Sequence, residues 1–131
     1  MSDKRTIPAP HVEEETRPYW EGLRDGKLLV KHCRTCEAAH HYPRSFCPHC
    51  GSDDTYFKES DGRGKIYSYS VFRAVPEPYA IAYVTLAGTD ISMMTNIVNC
   101  DLDRLAIGQE VKLCIVDTEG DGPPVPMFEP V

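Results

Sequence analysis

The chain has 131 residues, 41% of them hydrophobic, and a formal net charge of −6 at pH 7. That length holds one ordinary domain or two small modules, and a mean hydropathy of −0.38 excludes an integral membrane protein. No apolar run approaches the roughly 20 residues that a membrane helix requires. The charge is uneven: residues 1–60 carry nine Lys/Arg against ten Asp/Glu, and residues 61–131 carry five against ten. The second half would repel a phosphate backbone.

The opening stretch MSDKRTIPAPHVEEE has no apolar h-region, so it does not read as a secretory signal. The expected compartment is the cytoplasm, where thiols stay reduced and closely spaced cysteines bind metal. Residues 1–12, with Pro8 and Pro10, read as an arm that orders only if something holds it. EEETRPYWEGLRDGKLLV reads as a helix: Thr16 can cap, Pro18 suits the first turn, and Tyr19, Trp20 and Leu23 fall at helical spacing. Gly26 ends it, and a strand from Lys27 leads into Cys33.

From Gly62 the apolar period becomes two. In KIYSYSVFRAV the expectation puts Tyr67, Tyr69, Val71 and Val75 on one face, with Pro76 and Pro78 breaking the strand. AIAYVTLAG is apolar on both faces and turns through Thr89 and Asp90 into a return strand, ISMMTNIVNC. DLDRLAIG reads as one helical turn closed by Gly108. EVKLCIV places Val111, Leu113 and Ile115 on one face, and PMFEPV closes the chain as a last strand. Five short strands with a helical turn between the third and fourth fit a small Greek-key barrel of the OB type.

CRTCEAAHHYPRSFCPHC, residues 33–50, holds four of the six cysteines in two C-x-x-C pairs. Four thiolates satisfy a tetrahedral Zn²⁺ completely and leave no open position for substrate. Iron is the alternative metal for the same set. Cys33, Cys36, Cys47 and Cys50 are therefore assigned to one structural metal. Gly51 suits the positive φ that the second knuckle needs, whereas Glu37 follows the first. A thioredoxin-like site would need a βαβ context, which is absent. His32, His40, His41 and His49 are read as surface residues beside a complete ligand set. Cys100 and Cys114 read as small buried hydrophobes, with no histidine beyond residue 50 to activate them.

The order helix, zinc ribbon, barrel resembles a family of short bacterial and archaeal proteins that join a rubredoxin-like zinc ribbon to an acyl-CoA-associated OB-fold (domain of unknown function thirty-five). PYWEGLRDGKLLVKHC at 18–33, YPRSFCPHCGS at 42–52, GRGKIYSYSV at 62–71, LAIGQEV at 105–111 and the tail PMFEP carry the resemblance. Glu37 departs from it, since the family often has Gly there. The resemblance implies a mainly β chain: arm and helix over 1–32, zinc ribbon over 33–58 and five-stranded barrel over 59–131. It also implies an accessory subunit without catalytic residues of its own. The partner would be a thiolase-fold or lipid-transfer-protein-like enzyme, with acyl-CoA enclosed at the shared interface.

Two other classes compete. A nucleic-acid-binding OB module would use Tyr67, Tyr69, Tyr79 and Tyr83 for stacking, but it needs a basic groove that the acidic barrel half lacks. A free-standing enzyme lacks a base and nucleophile set. Tyr19, Trp20 and Leu23 on the helix are the candidate partner-binding residues, because Trp and Tyr are enriched at interface hot spots. Packing on the chain's own ribbon is the plainer role for the same three.

Overall fold

A computed structural model of the chain describes residues 6–131. A 3-10 turn, Glu14–Thr16, leads into helix α1, Arg17–Arg24, with Pro18 in its first turn. Thr16 is buried, and its hydroxyl donates to the Glu13 carbonyl at 3.2 Å instead of capping the helix. At the other end Gly26 takes φ +82°. Its N–H and that of Lys27 close back onto the carbonyls of Leu23 and Gly22, at 3.1 and 2.8 Å. This closure, typical of a left-handed glycine after a helix, engages Lys27, so strand β1 spans Leu29–Cys33 and starts later than expected. The arm before the helix is held: the Glu119 N–H donates to the Ile7 carbonyl at 2.9 Å, and Val12 packs on the core.

Strands β2 (Ala39–His40) and β3 (Thr55–Glu59) pair on either side of β1 in a three-stranded antiparallel sheet. The other five strands are β4 (Arg63–Phe72), β5 (Tyr79–Leu86), β6 (Ser92–Ile97), β7 (Glu110–Val116) and β8 (Val125–Pro130). They close a barrel in the order β4-β5-β6-β8-β7, the OB arrangement the strand pattern implies. A 3-10 turn, Leu102–Arg104, sits between β6 and β7. Among the described residues, no helix is long and apolar enough to cross a membrane.

The barrel interior follows the alternation of β5, whose Ala80, Ala82, Val84 and Leu86 all point inward and are buried. Phe128 and Val111 meet them from β8 and β7 in the same core. Gly64 is required opposite β5: a Cβ there would lie 2.6 Å from Val84 Cγ1 and 2.7 Å from the Thr85 carbonyl oxygen. Of the expected shared face of Tyr67, Tyr69, Val71 and Val75, only Tyr69 and Val71 stay together, opposite the inward Ala82 and Ala80. Ile66 pairs with Val84 but Ser68 pairs with Tyr83, so Tyr67 is bulged out and exposed. One extra residue reverses which positions face inward. Ile66 is buried before the bulge, Val71 packs on the core after it, and Val75 lies beyond the strand.

The helix does not present an exposed apolar face. Tyr19, Trp20 and Leu23 are only 2%, 8% and 1% exposed and belong to the same core cluster as the barrel residues. α1 touches both β1 and β8. The Trp20 indole N–H donates to the Tyr42 hydroxyl at 2.9 Å, and Tyr19 stands edge-on to Trp20 with ring centres 4.9 Å apart. Such pairs add to the burial of the rings themselves. Trp20→Ala should therefore lower unfolding stability by about 3–5 kcal/mol, measured by urea denaturation. A loss under about 1 kcal/mol, the scale of a surface substitution, would contradict this role.

Candidate metal centre

Two five-residue turns built alike bring the four thiols together. After Cys33 the Glu37 N–H donates to the Cys33 carbonyl at 2.9 Å, and the Cys33 N–H donates to the Ala38 carbonyl at 3.0 Å. After Cys47 the Gly51 N–H donates to the Cys47 carbonyl, and the Cys47 N–H donates to the Ser52 carbonyl, both at 2.8 Å. Glu37 and Gly51 take φ of +65° and +81°. The departure at Glu37 thus leaves the knuckle intact, at the energetic cost of a side chain in the left-handed region, about 1–2 kcal/mol.

The sulfurs of Cys33, Cys36, Cys47 and Cys50 all lie within 4.8 Å of one another. Cys33 and Cys50 are 3.7 Å apart, and Cys36 and Cys47 are 3.6 Å apart. A tetrahedron with metal–sulfur bonds of about 2.3 Å has edges of about 3.8 Å. The spacing fits a four-coordinate ion and is far too long for disulfides; all the cysteines are free thiols. Backbone N–H groups serve the sulfurs, as the His49 N–H does for Cys47 Sγ at 3.4 Å. The Cys33 thiol is drawn down to about 6, chiefly by the Cys36 N–H. The four groups compete for ionisation. Although the Ser52 N–H favours its thiolate, burial and the neighbouring thiols push Cys50 up to about 12.

The turns are tied to their surroundings. Glu15, just before α1, accepts from the backbone N–H and hydroxyl of Ser45 at 3.0 and 3.1 Å. The Thr35 and Ser52 hydroxyls, one from each turn, meet at 2.8 Å. Beside the turns lies a cleft of about 720 Å³ between the ribbon and the β5–β6 turn, lined by His32, His40, His41 and His49 with Glu37 and Asp90. Not all of these histidines are surface residues. His40 is 6% exposed, and neither ring nitrogen has a hydrogen-bond partner among the described residues. His41 stacks obliquely on Tyr19, and burial pushes its pKa down to about 4. Tyr42 accepts the Trp20 N–H, a role that no residue pattern in the sequence marks. Cys100 and Cys114 are half-buried, and burial pushes both thiols up.

Metal analysis of freshly isolated, reduced protein should find about one Zn or Fe per chain, as a tetrathiolate site takes. Cys47→Ser should lose the metal and the ribbon's amide protection together, because metal binding and folding are coupled in such small modules. Metal-free protein with an intact ribbon would contradict the assignment.

Residues 20–55 match the family model for the rubredoxin-like zinc ribbon domain of ChsH2, and residues 57–116 match the model for its C-terminal OB-fold domain. A Thermomonospora curvata protein named as a probable enoyl-CoA hydratase alpha subunit is 32% identical over 133 residues, covering 97% of this chain; the chain spans 41% of that protein's length. A DUF35 domain-containing scaffold protein of Methanothermobacter thermautotrophicus is 29% identical over 102 residues, 72% of this chain and 76% of that one. Among solved structures, a chain of the Ltp2-ChsH2(DUF35) aldolase superposes with a TM-score of 0.81 at 30% identity, over 92% of this chain and 98% of that one. A DUF35 protein from Sulfolobus solfataricus shares the fold, with a TM-score of 0.65 at 16% identity. With its ribbon and barrel both matched, the chain belongs to the ChsH2 family of DUF35 proteins, a zinc ribbon joined to an OB-fold barrel.

Proposed function

We propose that the protein is a non-catalytic accessory subunit of an acyl-CoA enzyme of the thiolase-fold or lipid-transfer-protein-like class. It would brace that enzyme and help enclose the path of the acyl-CoA. The observation that carries this reading is its likeness to one chain of the Ltp2-ChsH2(DUF35) aldolase, end to end over 98% of that chain. Likeness to a probable enoyl-CoA hydratase alpha subunit supports the same substrate class.

The chemistry of the chain agrees with an accessory role. A metal held by Cys33, Cys36, Cys47 and Cys50 has its four positions filled by protein, so it supplies cross-linking and no Lewis acid site. Zinc suits that role. Cys100 and Cys114 have thiols pushed up by burial and then by Asp101 and Glu129 respectively, the reverse of what a nucleophile needs.

The test is co-expression of the full chain with each thiolase-fold enzyme of its source genome. One of them should copurify at a fixed ratio and gain solubility or acyl-CoA turnover, while the isolated chain turns over no acyl-CoA thioester. If none copurifies, or if the chain alone is active, the reading is wrong. Binding of single-stranded DNA below about 1 μM with a steep salt dependence would favour the nucleic-acid module instead.

A further inference from the structure

The barrel carries one face without charge. Cross-strand register sets the outward positions of β4, β5 and β6: Phe72 pairs with Tyr79, Ser70 with Ile81, Ser68 with Tyr83, and Tyr83 with Met94. These lie opposite the buried row from Ala80 to Leu86. From the bulge at Tyr67 to Phe72, from Tyr79 to Thr85, and from Ser92 to Asn96, no outward position is Asp, Glu, Lys or Arg. The whole chain is 26% charged, so a surface sector of this size without one charge is a departure from its own composition.

What the sector carries instead is large and apolar. Tyr67 is 66% exposed, Met94 63%, Tyr83 44%, Phe72 42% and Ile81 38%. Phe72 and Tyr79 stand edge-on with ring centres 5.6 Å apart. Charge resumes only at the rim. Lys65 lies beside Thr85 beyond the bulge, and Arg73, just past Phe72, pairs with Asp103 at 2.7 Å. An uncharged centre of Tyr, Phe and Met within a charged rim is the composition of a protein interface. Contiguous apolar patches on a monomer mark such sites.

We infer that the outer face of β4, β5 and β6, centred on Tyr83 and Met94, is where the enzyme subunit docks. This rests on the accessory reading above and gives it a location. Charge decides among occupants. A polyanion needs Lys and Arg along its track, and this face has none. Its complement is a neutral, apolar protein surface. The Thermomonospora curvata relative points to a protein neighbour as well, since the matched segment there is joined to further chain longer than itself. The helix residues Tyr19, Trp20 and Leu23 are buried and cannot serve.

The experiment uses the full chain and whichever thiolase-fold enzyme copurifies with it. Tyr83→Glu and Met94→Glu are compared with Phe46→Glu on the ribbon and Ile107→Glu on the turn before β7, which are 62% and 72% exposed. Bound metal and the unfolding midpoint are measured for each, so that only folded variants are compared. The face variants should bind at least about 100-fold more weakly, as for interface hot spots. The two controls should stay within about threefold, as for surface substitutions elsewhere.

Wild-type affinity in both face variants overturns the inference while leaving the accessory function standing. So does a homodimer of the isolated chain that Tyr83→Glu dissociates, because a second copy would then own the face. Binding of a dT oligonucleotide that both face variants abolish also overturns it. A wild-type chain that pairs with no such enzyme removes the accessory function first, and this occupant with it.

Discussion

Four sulfur atoms held within 4.8 Å of one another are the constraint on which the ribbon depends. Thiolates at such distances repel unless a cation sits among them. The surrounding sheet is too short to oppose that repulsion with apolar contacts. Cys33 pairs with Thr55 in the register of β1 on β3, so the first of the four thiols is anchored in the sheet. Leu28, just before β1, and Val30 within it are buried in the core shared with α1 and the barrel.

The second coupling runs from ribbon to barrel through the helix. An eight-residue helix would be marginal alone. It persists because Tyr19, Trp20 and Leu23 lie in the same core as Val84, Val111 and Phe128, while Trp20 bonds Tyr42 on the ribbon side. Glu15 adds a polar tie to Ser45, and its carboxyl is held below the usual range by the Ser45 N–H and hydroxyl. Ribbon and barrel share one core, so the barrel's outer face is presented in a fixed attitude to the ribbon.

Much of this was legible in the residues. The paired C-x-x-C spacing identified the four thiols, and strand alternation with turn glycines gave five barrel strands in their observed order. Four features were not legible, each for a local reason. The bulge at Tyr67 inverts the inward and outward positions of β4, and no residue type forbids either register. The burial of Tyr19 and Trp20 depends on Tyr42 and β8, which are distant in sequence. Glu37 holds a glycine-like φ because the hydrogen bonds of its turn outweigh its side-chain preference. The uncharged face was hidden by β5 itself: a strand apolar on both sides shows no alternation to read.

The proposed accessory role asks a chain to keep its own core closed and still offer apolar surface to an enzyme. The aromatic helix turned inward and the outer barrel face turned out fit those two tasks. Hydroxyl-radical footprinting reports directly on that division, because Met and Tyr side chains oxidise readily when exposed. In the complex with its enzyme, Met94, Tyr83 and Tyr67 should be protected relative to the free chain, while Phe46 on the ribbon keeps its free-chain reactivity. Equal oxidation of Met94 and Tyr83 in the free and bound states would contradict the account.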